Sequence, residues 1–289
     1  MTTPAPVTSF ASVLRADNPG PMTLDGTRSY VLRAPGAEAA VVVDPGPDEP
    51  DHLAALAAAG PVALVLVTHR HADHTDGSPR LRGLTGAPVR AADPAHCHGG
   101  DPLVGGDVVE AAGLRIEVLA TPGHTADSVS FVVAPASGPR ASGAPDAPVV
   151  LTGDTVLGRG TTVIAEPDGS LRDYLASLDA LERLATGGVP VRGLPGHGPV
   201  VDDLGAVVRA YRAHRQERLA QVRAAVAALG VVLPTPAQAS AGAPGDLPPG
   251  VPDDLADAVV DAVYADVDGS VRAAARQSVV AQLEYLAGR

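Results

Sequence analysis

Four residues that can bind metal ions or carry protons stand in one short stretch of the sequence. The stretch LVTHRHADHTDG, residues 66–77, contains His69, His71, Asp73 and His74, which include three of only nine histidines in the 289-residue chain. Imidazole and carboxylate groups are the preferred protein ligands of zinc and similar divalent cations. In extended backbone His69 and His71 project to the same side, whereas adjacent residues diverge. The spacing therefore favours a metal site that can serve two neighbouring ions.

Three further polar residues follow predicted strands, each in a turn that contains Gly or Pro. They are His124 in TPGHT, Asp154 in TGDT and His197 in LPGHG. Each one alone is weak evidence, since Asp, for example, is common in turns. Strand ends of a sheet commonly face one cleft, so we expect these loops to meet the first cluster. Seven candidate ligands are too many for one tetrahedral ion and suit two ions about 3.5–4 Å apart.

The elements that must position these residues are short strands and helices in alternation. The predicted strands are SYVLRA, AAVVVDPG, PVALVLVTH, LRIEVLATPGHT, SVSFVVA, PVVLTGDT and a short strand in VPVRGLPGHGPV that leads to His197. Leucines at helical spacing predict an amphipathic helix over 170–185. After about residue 205 the pattern of alternating strands and helices ends, and only helices are predicted, at 206–230, 253–267 and 270–287. We therefore expect a domain that carries the candidate metal ligands over 1–205 and a small, mainly helical domain over 206–289.

Composition excludes several classes of protein. The net charge of −12 disfavours a generally basic nucleic-acid binder, so double-stranded DNA is an unexpected partner. The single cysteine, Cys97, rules out an internal disulfide framework, and a reducing compartment fits. The N-terminal residues do not have the pattern of a secretory signal, and no window is apolar enough to span a membrane. We expect a soluble cytoplasmic protein without a membrane partner.

The ordered motifs resemble the metallo-β-lactamase superfamily, whose pattern is T-H-x-H-x-D-H followed by His, Asp and His. The resemblance covers about residues 10–203, and Asp44 in VVVDPG matches an early aspartate that usually supports the metal loop. The stretches NPGPMTLDGTRSYVL, TGDTVLGRGTT, LPGHGPV and YRAHRQER are similar to the lactamase-beta-like-2 subgroup. This resemblance implies an α/β fold, a four-layer αβ/βα sandwich with the metals at its edge, and a winged-helix-like domain at the C-terminus.

The resemblance also implies a role for each candidate residue. A first metal would be held by His69, His71 and His124, a second by Asp73, His74 and His197, and Asp154 would bridge them. Two Zn²⁺ per chain are expected, with Fe or Mn as alternatives. Water activated by the metals would attack, and Asp73 would orient it and take its proton. Arg159 and Tyr30 would stand near the rim as substrate contacts. A bridging aspartate disfavours the antibiotic-destroying branches.

The sequence leaves three functions open. Similarity to the subgroup points to cleavage of single-stranded RNA. A stripe of arginines on the predicted helix could bind phosphates, although a solvated helix face explains the same stripe. The stripe is Arg209, Arg212, Arg215 and Arg218. The second option is hydrolysis of a small thioester or ester, as in the glyoxalase II branch, which has the same ligand set. The third is a winged helix that binds DNA or a partner, but the acidic residues of 253–287 favour packing or homodimer formation.

Overall fold

Two mixed β-sheets form the centre of the molecule in a computed structural model, which describes residues 3–136, 147–164, 168–186, 190–233, 254–266 and 268–288. The first sheet contains, in spatial order, β1 (Ala5–Pro6), β2 (Ala11–Arg15), β3 (Arg28–Leu32), β4 (Ala40–Val43), β5 (Val62–Leu66) and β6 (Val89–Arg90). The second contains β11 (Arg192–Pro195), β10 (Val149–Gly153), β9 (Val129–Pro135), β8 (Leu114–Ala120) and β7 (Val108–Ala111).

Parallel pairing brings the ends of the functional strands to the same edge. β4, β5 and β6 run parallel in the first sheet, and β10 runs parallel to β11 in the second. All four residues of β4 and all five of β10 are buried, as strands covered on both faces should be. The carboxyl ends of these strands therefore open into the loops that carry the candidate ligands.

Helices cover the outer face of each sheet, so the molecule has four layers. On the first sheet lie α1 (Pro50–Ala58), the short α2 (Ala72–Thr75) and α3 (Ser78–Thr85); on the second lie α4 (Leu171–Leu184) and α5 (Leu204–Ala228). Side chains such as Leu32, Phe131 and Leu151 fill the space between the sheets. Leu53 and Leu81 pack on the outside of the first sheet, whereas other apolar side chains, from α4 and α5, pack on the second. This arrangement confirms the predicted αβ/βα sandwich.

Helix α4 shows how the sequence produces this packing. Ser170 caps its first turn by accepting a hydrogen bond from the backbone of Asp173. Leu171, Leu178 and Leu181 are buried on one face of the helix. The amphipathic helix predicted over 170–185 is therefore confirmed.

Three helices make up the described C-terminal part. After α5 come α6 (Leu255–Val263) and α7 (Arg272–Leu286), with a 3₁₀ turn at Gly269–Val271. They share an apolar cluster of their own, while the first half of α5 packs against α4. Because α5 belongs to both packing regions, a domain boundary at 205/206 stays a prediction, as does the winged-helix assignment. Among the described residues, no helix has the length and apolar character that crossing a membrane requires.

Candidate metal centre

Seven side chains converge from the loops that follow β5, β8, β10 and β11. They form three overlapping groups of three residues. Within each group the ligand atoms lie within 4.8 Å of one another. The groups are His69, His71 and His124; His69, His74 and Asp154; and Asp73, His74 and His197. All seven residues proposed from the sequence as ligands are therefore brought together, and their assignment to two ions stays a prediction.

The first ligand group consists of His69, His71 and His124. His71 Nδ1 lies 3.0 Å from His69 Nε2 and 3.0 Å from His124 Nε2. Burial, reinforced by neighbouring imidazoles, lowers the pKa of both His69 and His71. These two imidazoles are therefore neutral at pH 7, which is the form that coordinates a cation.

The second ligand group consists of Asp73, His74 and His197. The two imidazoles approach each other at 3.3 Å between their Nε2 atoms, and Asp73 Oδ2 lies 3.3 Å from His74 Nε2 and 3.2 Å from His197 Nε2. Burial opposes the charge of Asp73, but the nearby His74 and His197 lower its pKa overall. Asp73 is thus an ionised carboxylate among imidazoles.

Asp154 lies between the two groups. Its Oδ2 is 3.2 Å from His197 Nε2 and 3.8 Å from His124 Nε2, and its Oδ1 is 3.5 Å from His74 Nε2. Oδ1 is buried without a hydrogen-bond partner within the described part of the chain. Such an orphaned carboxylate oxygen is costly to bury unless a cation compensates it. The donor set of imidazoles and carboxylates therefore fits divalent metals, and Asp154 lies between the two ligand groups.

The carboxylates also raise the pKa of two imidazoles of the centre, those of His197 and His74. Burial alone would lower the pKa of His197, but Asp154 and then Asp73 raise it to about 9. The pKa of His74 is likewise raised by Asp73, Asp154 and Asp44 against the effect of its burial. The centre therefore requires positive charge, and divalent cations would supply it in place of these protons.

Asp44 supports the second group from the end of β4. Its Oδ2 lies 2.9 Å from His74 Nδ1 and accepts a hydrogen bond from the Thr68 hydroxyl at 2.8 Å, and its Oδ1 accepts one from the Thr68 backbone N–H. Asp44 adopts a positive φ of 51°, a strained conformation for a residue with a side chain, which these bonds stabilise. The contact with Nδ1 turns His74 Nε2 toward the centre. Asp44 thus occupies the supporting position expected from the sequence.

Asp73 has a support that sequence reasoning missed. The Thr27 hydroxyl donates to Asp73 Oδ2 at 2.9 Å. The Asn18 side chain in turn donates to the Thr27 hydroxyl at 2.9 Å and accepts from the Thr27 backbone N–H at 2.8 Å. The only signal was that both residues lie in the stretch NPGPMTLDGTRSYVL, because nothing local connects them to a residue about 50 positions away.

His124 is supported by the irregular segment that follows β10. Its Nδ1 lies 2.7 Å from the backbone carbonyl of Val163 and 3.2 Å from the Thr162 hydroxyl. Donation from Nδ1 to the carbonyl leaves Nε2 free to face the centre. Neither Thr162 nor Val163 was a candidate from the sequence, since a backbone acceptor has no residue-type signature.

The two candidate substrate contacts have different surroundings. Arg159 is exposed and lines a cleft of about 80 Å³ that also touches Met22, His124 and Asp154. Tyr30 lies in the core with 2% of its surface exposed, and its hydroxyl donates to the Pro195 carbonyl at 2.8 Å. Tyr30 therefore does not reach the rim, and its position indicates support of the strand that leads to His197. Arg159 stays a candidate contact.

The arginine stripe of α5 is largely occupied within the molecule. Arg212 contacts Asp179 and Glu182, Arg215 contacts the carbonyl of Thr162, and Arg218 contacts the carbonyl of Val263 and the ring of Tyr264. Arg215 is only 5% exposed. These three side chains therefore bind the chain itself, and the stripe does not present the continuous row of cations that a phosphate backbone would need.

Comparisons with known proteins agree with this centre. The model of the family described as "Metallo-beta-lactamase superfamily" matches residues 22–197. The chain is 33% identical over 214 residues to the atrochrysone carboxyl ACP thioesterase of Aspergillus fumigatus, covering 71% of this chain and 61% of that protein. It is 30% identical over 214 residues to the beta-lactamase-like protein 2 homolog of Caenorhabditis elegans, covering 70% and 65%. The matches thus span less than two thirds of either relative.

A solved structure shows the same fold over nearly the whole chain. A metallo-beta-lactamase family protein from Thermus thermophilus superposes with a TM-score of 0.68 and 21% identity. The superposition covers 97% of this chain and 94% of that one. The C-terminal helices are therefore part of an arrangement found in another protein of this fold.

Proposed function

The chain belongs to the metallo-beta-lactamase superfamily, and we propose that it is a metal-dependent hydrolase that cleaves a small thioester or ester. The position of Asp154 between two groups of imidazole ligands carries this proposal, because it suits a pair of ions with one bridging carboxylate. We propose zinc as the metal, since three-histidine and mixed Asp/His sets are typical zinc ligands, with Fe or Mn as alternatives.

The residues of the centre divide the work of hydrolysis. Bound divalent cations would supply an activated water and an electrophilic partner for the substrate carbonyl. Asp73 is the proton acceptor in this scheme, because it is ionised and its side chain, 26% exposed, is more accessible than that of Asp154, which is 10% exposed. The Thr27 hydroxyl fixes one oxygen of Asp73, so the carboxylate is oriented before the substrate arrives. Asp154, which is buried, holds the two groups together.

The substrate class follows from what surrounds the opening. Met22, Leu24 and Leu157 give the cleft apolar walls, which suit an acyl group, and Arg159 offers a cation for an anionic carrier. A thioesterase among the relatives supports the same class. RNA is less favoured, because three of the four stripe arginines bind the chain itself and aromatic residues, the usual stacking platforms for bases, make up only 2% of the chain.

A panel of two substrates tests the proposal. Zinc-loaded protein and chelator-treated protein are each given a small acyl thioester and a labelled single-stranded RNA. We expect metal-dependent hydrolysis of the thioester and an intact RNA. RNA cleavage without thioester hydrolysis would replace the substrate class, and thioester hydrolysis that is equal in the chelated protein would contradict the metal-dependent mechanism.

Arg159 gives a finer test within the same panel. Arg159→Glu places a negative charge at the rim without touching any ligand, so KM for an anionic thioester should rise about 10-fold while kcat changes little. The uncharged thioester is the internal control and should be insensitive to the change. Equal effects on both substrates would remove Arg159 from the set of substrate contacts.

A further inference from the structure

We propose that Arg215, on helix α5, is a positioning residue for the ligand His124, so that the C-terminal helices determine how firmly the first ligand group holds its ion. This inference rests on the proposed function, because it assumes an ion at that group. It gives the C-terminal helices a role at the centre although none of the seven ligands comes from them.

Arg215 lies in surroundings that packing alone does not explain. Its side chain is 5% exposed, and its guanidinium carbon stands 5.2 Å from the centre of the Tyr174 ring. Among the described residues no carboxylate pairs with it, and its Nε has no hydrogen-bond partner. A buried cation without a counter-ion costs free energy that an apolar side chain of similar volume would not. Besides its contact with Tyr174, the guanidinium donates a hydrogen bond to the Thr162 carbonyl, and this bond indicates its role.

That hydrogen bond leads to His124 in two steps. The Arg215 guanidinium donates to the backbone carbonyl of Thr162. The Thr162 hydroxyl and the carbonyl of Val163, the next residue, both contact His124 Nδ1, at 3.2 Å and 2.7 Å. Arg215 thus fixes the peptide unit that joins Thr162 and Val163, the two residues that orient His124. A shift of this unit would turn the imidazole and move Nε2 relative to the other two ligands.

The segment from 155 to 164 has little internal structure to hold its own shape. It contains no regular helix or strand, and its anchors come from outside it. The Tyr174 hydroxyl donates to the Thr155 carbonyl at 2.7 Å, and the Tyr211 hydroxyl accepts from the Leu157 N–H at 3.1 Å. These anchors fix its beginning, whereas Arg215 fixes the end nearest His124. Loss of the guanidinium should therefore be felt at His124 first.

Metal release from the loaded protein measures this role. Zinc-loaded Arg215→Met is mixed with a chromogenic chelator, and the release of each ion is followed in time. Partners that orient metal ligands typically change metal affinity by about 10-fold or more, so we expect one of two ions to leave about 10-fold faster than in the wild type. Arg212→Met is the matched control, because it removes an arginine one turn earlier whose side chain pairs with Asp179 and Glu182 in the described part of the chain.

A second background identifies the affected ion. In His124→Ala the first ligand group is already disrupted, so adding Arg215→Met should leave the release of the remaining ion unchanged. If Arg215→Met does not fold, Arg215→Lys takes its place under the same criterion, since an ammonium can still occupy the site but loses the geometry of the guanidinium.

The possible results separate the two proposals. Equal acceleration of both ions, or release at the wild-type rate, would overturn the role of Arg215 and leave the metal centre intact. A wild-type protein that holds no ion would overturn the proposed function, and this inference with it. Selective release that is abolished in the His124→Ala background would support both.

Discussion

The two ligand groups of the centre are held in place by different kinds of hydrogen-bond partner. Asp44 supports His74 and Thr27 supports Asp73, each through a buried side chain next to the first sheet. His197 is held through a backbone bridge to Thr27, and its Nδ1 has no hydrogen-bond partner among the described residues. His124 is held instead by backbone and hydroxyl groups of an irregular segment that is fastened to α4 and α5. The second ligand group is thus supported by a carboxylate at the end of a strand. The first is supported by a backbone carbonyl whose position depends on helices far along the chain.

This difference has a physical consequence. A hydrogen bond to an ionised carboxylate is roughly twice as strong as one to a neutral acceptor. In addition, Asp44 is fixed by three bonds at a strand end, whereas Val163 lies in a segment without regular structure. The second ligand group should therefore be the more rigid of the two, and the first should be the one that variants of the C-terminal helices can loosen.

Removing a ligand from either group should produce the largest effect. His71→Ala takes a ligand from the first group and Asp73→Ala takes one from the second, together with the proposed proton acceptor. Each should lower kcat/KM by about 1000-fold or more, because neither group alone can support the two-metal reaction. Circular dichroism should show an unchanged fold. Wild-type turnover in both variants would refute the assignment of the centre.

Adding one methyl group at Gly196 should damage both groups at once. A Cβ at this position would stand 2.5 Å from Asp154 Oδ1 and 2.7 Å from His74 Cε1, distances that require both ligands to move. Gly196→Ala should therefore lower turnover by about 100-fold, since a misplacement near 1 Å can cost that much. Gly83→Ala is the control, because a Cβ there meets nothing within 4 Å. Equal activity of the two variants would show that the centre tolerates displacement.

Asp44→Asn should weaken the second group more than the first, which Asp44 reaches only through Thr68 and its 3.1 Å contact with His69 Nδ1. The amide cannot provide the charge that orients His74, so affinity for one of the two ions should fall about 10- to 100-fold. Metal titration of the variant measures this directly, with Arg215→Met as its counterpart for the other ion. If both variants lowered the affinity for the same ion, the separate support of the two ligand groups would be refuted.

His52 offers a smaller effect, on the stability of the first-sheet side. Burial lowers its pKa to about 4, outweighing the hydrogen bond to Pro45, while its Nε2 contacts the Ser29 hydroxyl at 2.8 Å. The unfolded chain, with an ordinary pKa near 6.5, takes up the proton first as the pH falls, so stability is complete above about 6.5 and declines toward 4. Between pH 7 and pH 5.5 the loss should be about 1 kcal/mol.

Urea unfolding of the wild type and of His52→Gln at both pH values isolates this contribution. The other titrating groups are common to both proteins and cancel in the comparison. We expect the free energy of unfolding of the wild type to fall by about 1 kcal/mol more than that of the variant. An identical pH response would mean that the pKa of His52 is the same in the folded and the unfolded protein, and would contradict the lowering by burial.

The sequence predicted the ligands better than their supports. The pattern H-x-H-x-D-H, the strand-end loops and Asp44 are local signals, and the structure brings those residues together. The supports are contacts between distant positions, such as Thr27 with Asp73 and Arg215 with Thr162. A backbone carbonyl such as that of Val163 leaves no mark in the sequence at all. Periodicity finds faces of elements, but it does not show which distant loop a face will meet.

The arginine stripe shows why periodicity misled. Residues three apart on an α-helix are separated by about 300°, so a row at this spacing drifts by about 60° at each step. Over Arg209, Arg212, Arg215 and Arg218 the row passes around about half the helix. One member therefore had to approach the buried side, and it is Arg215 that lies under the segment at 155–164.

The strands predicted from the sequence were incomplete, because β2 and β7 were not predicted.

The most direct measurement is the anomalous scattering of zinc from crystals of the loaded wild-type protein. We expect two peaks per chain, about 3.5–4 Å apart, with Asp154 between them. One should lie about 2.0–2.2 Å from ligand atoms of His69, His71 and His124, and the other at similar distances from Asp73, His74 and His197. A single peak, or ions bound only away from these seven residues, would contradict this expectation.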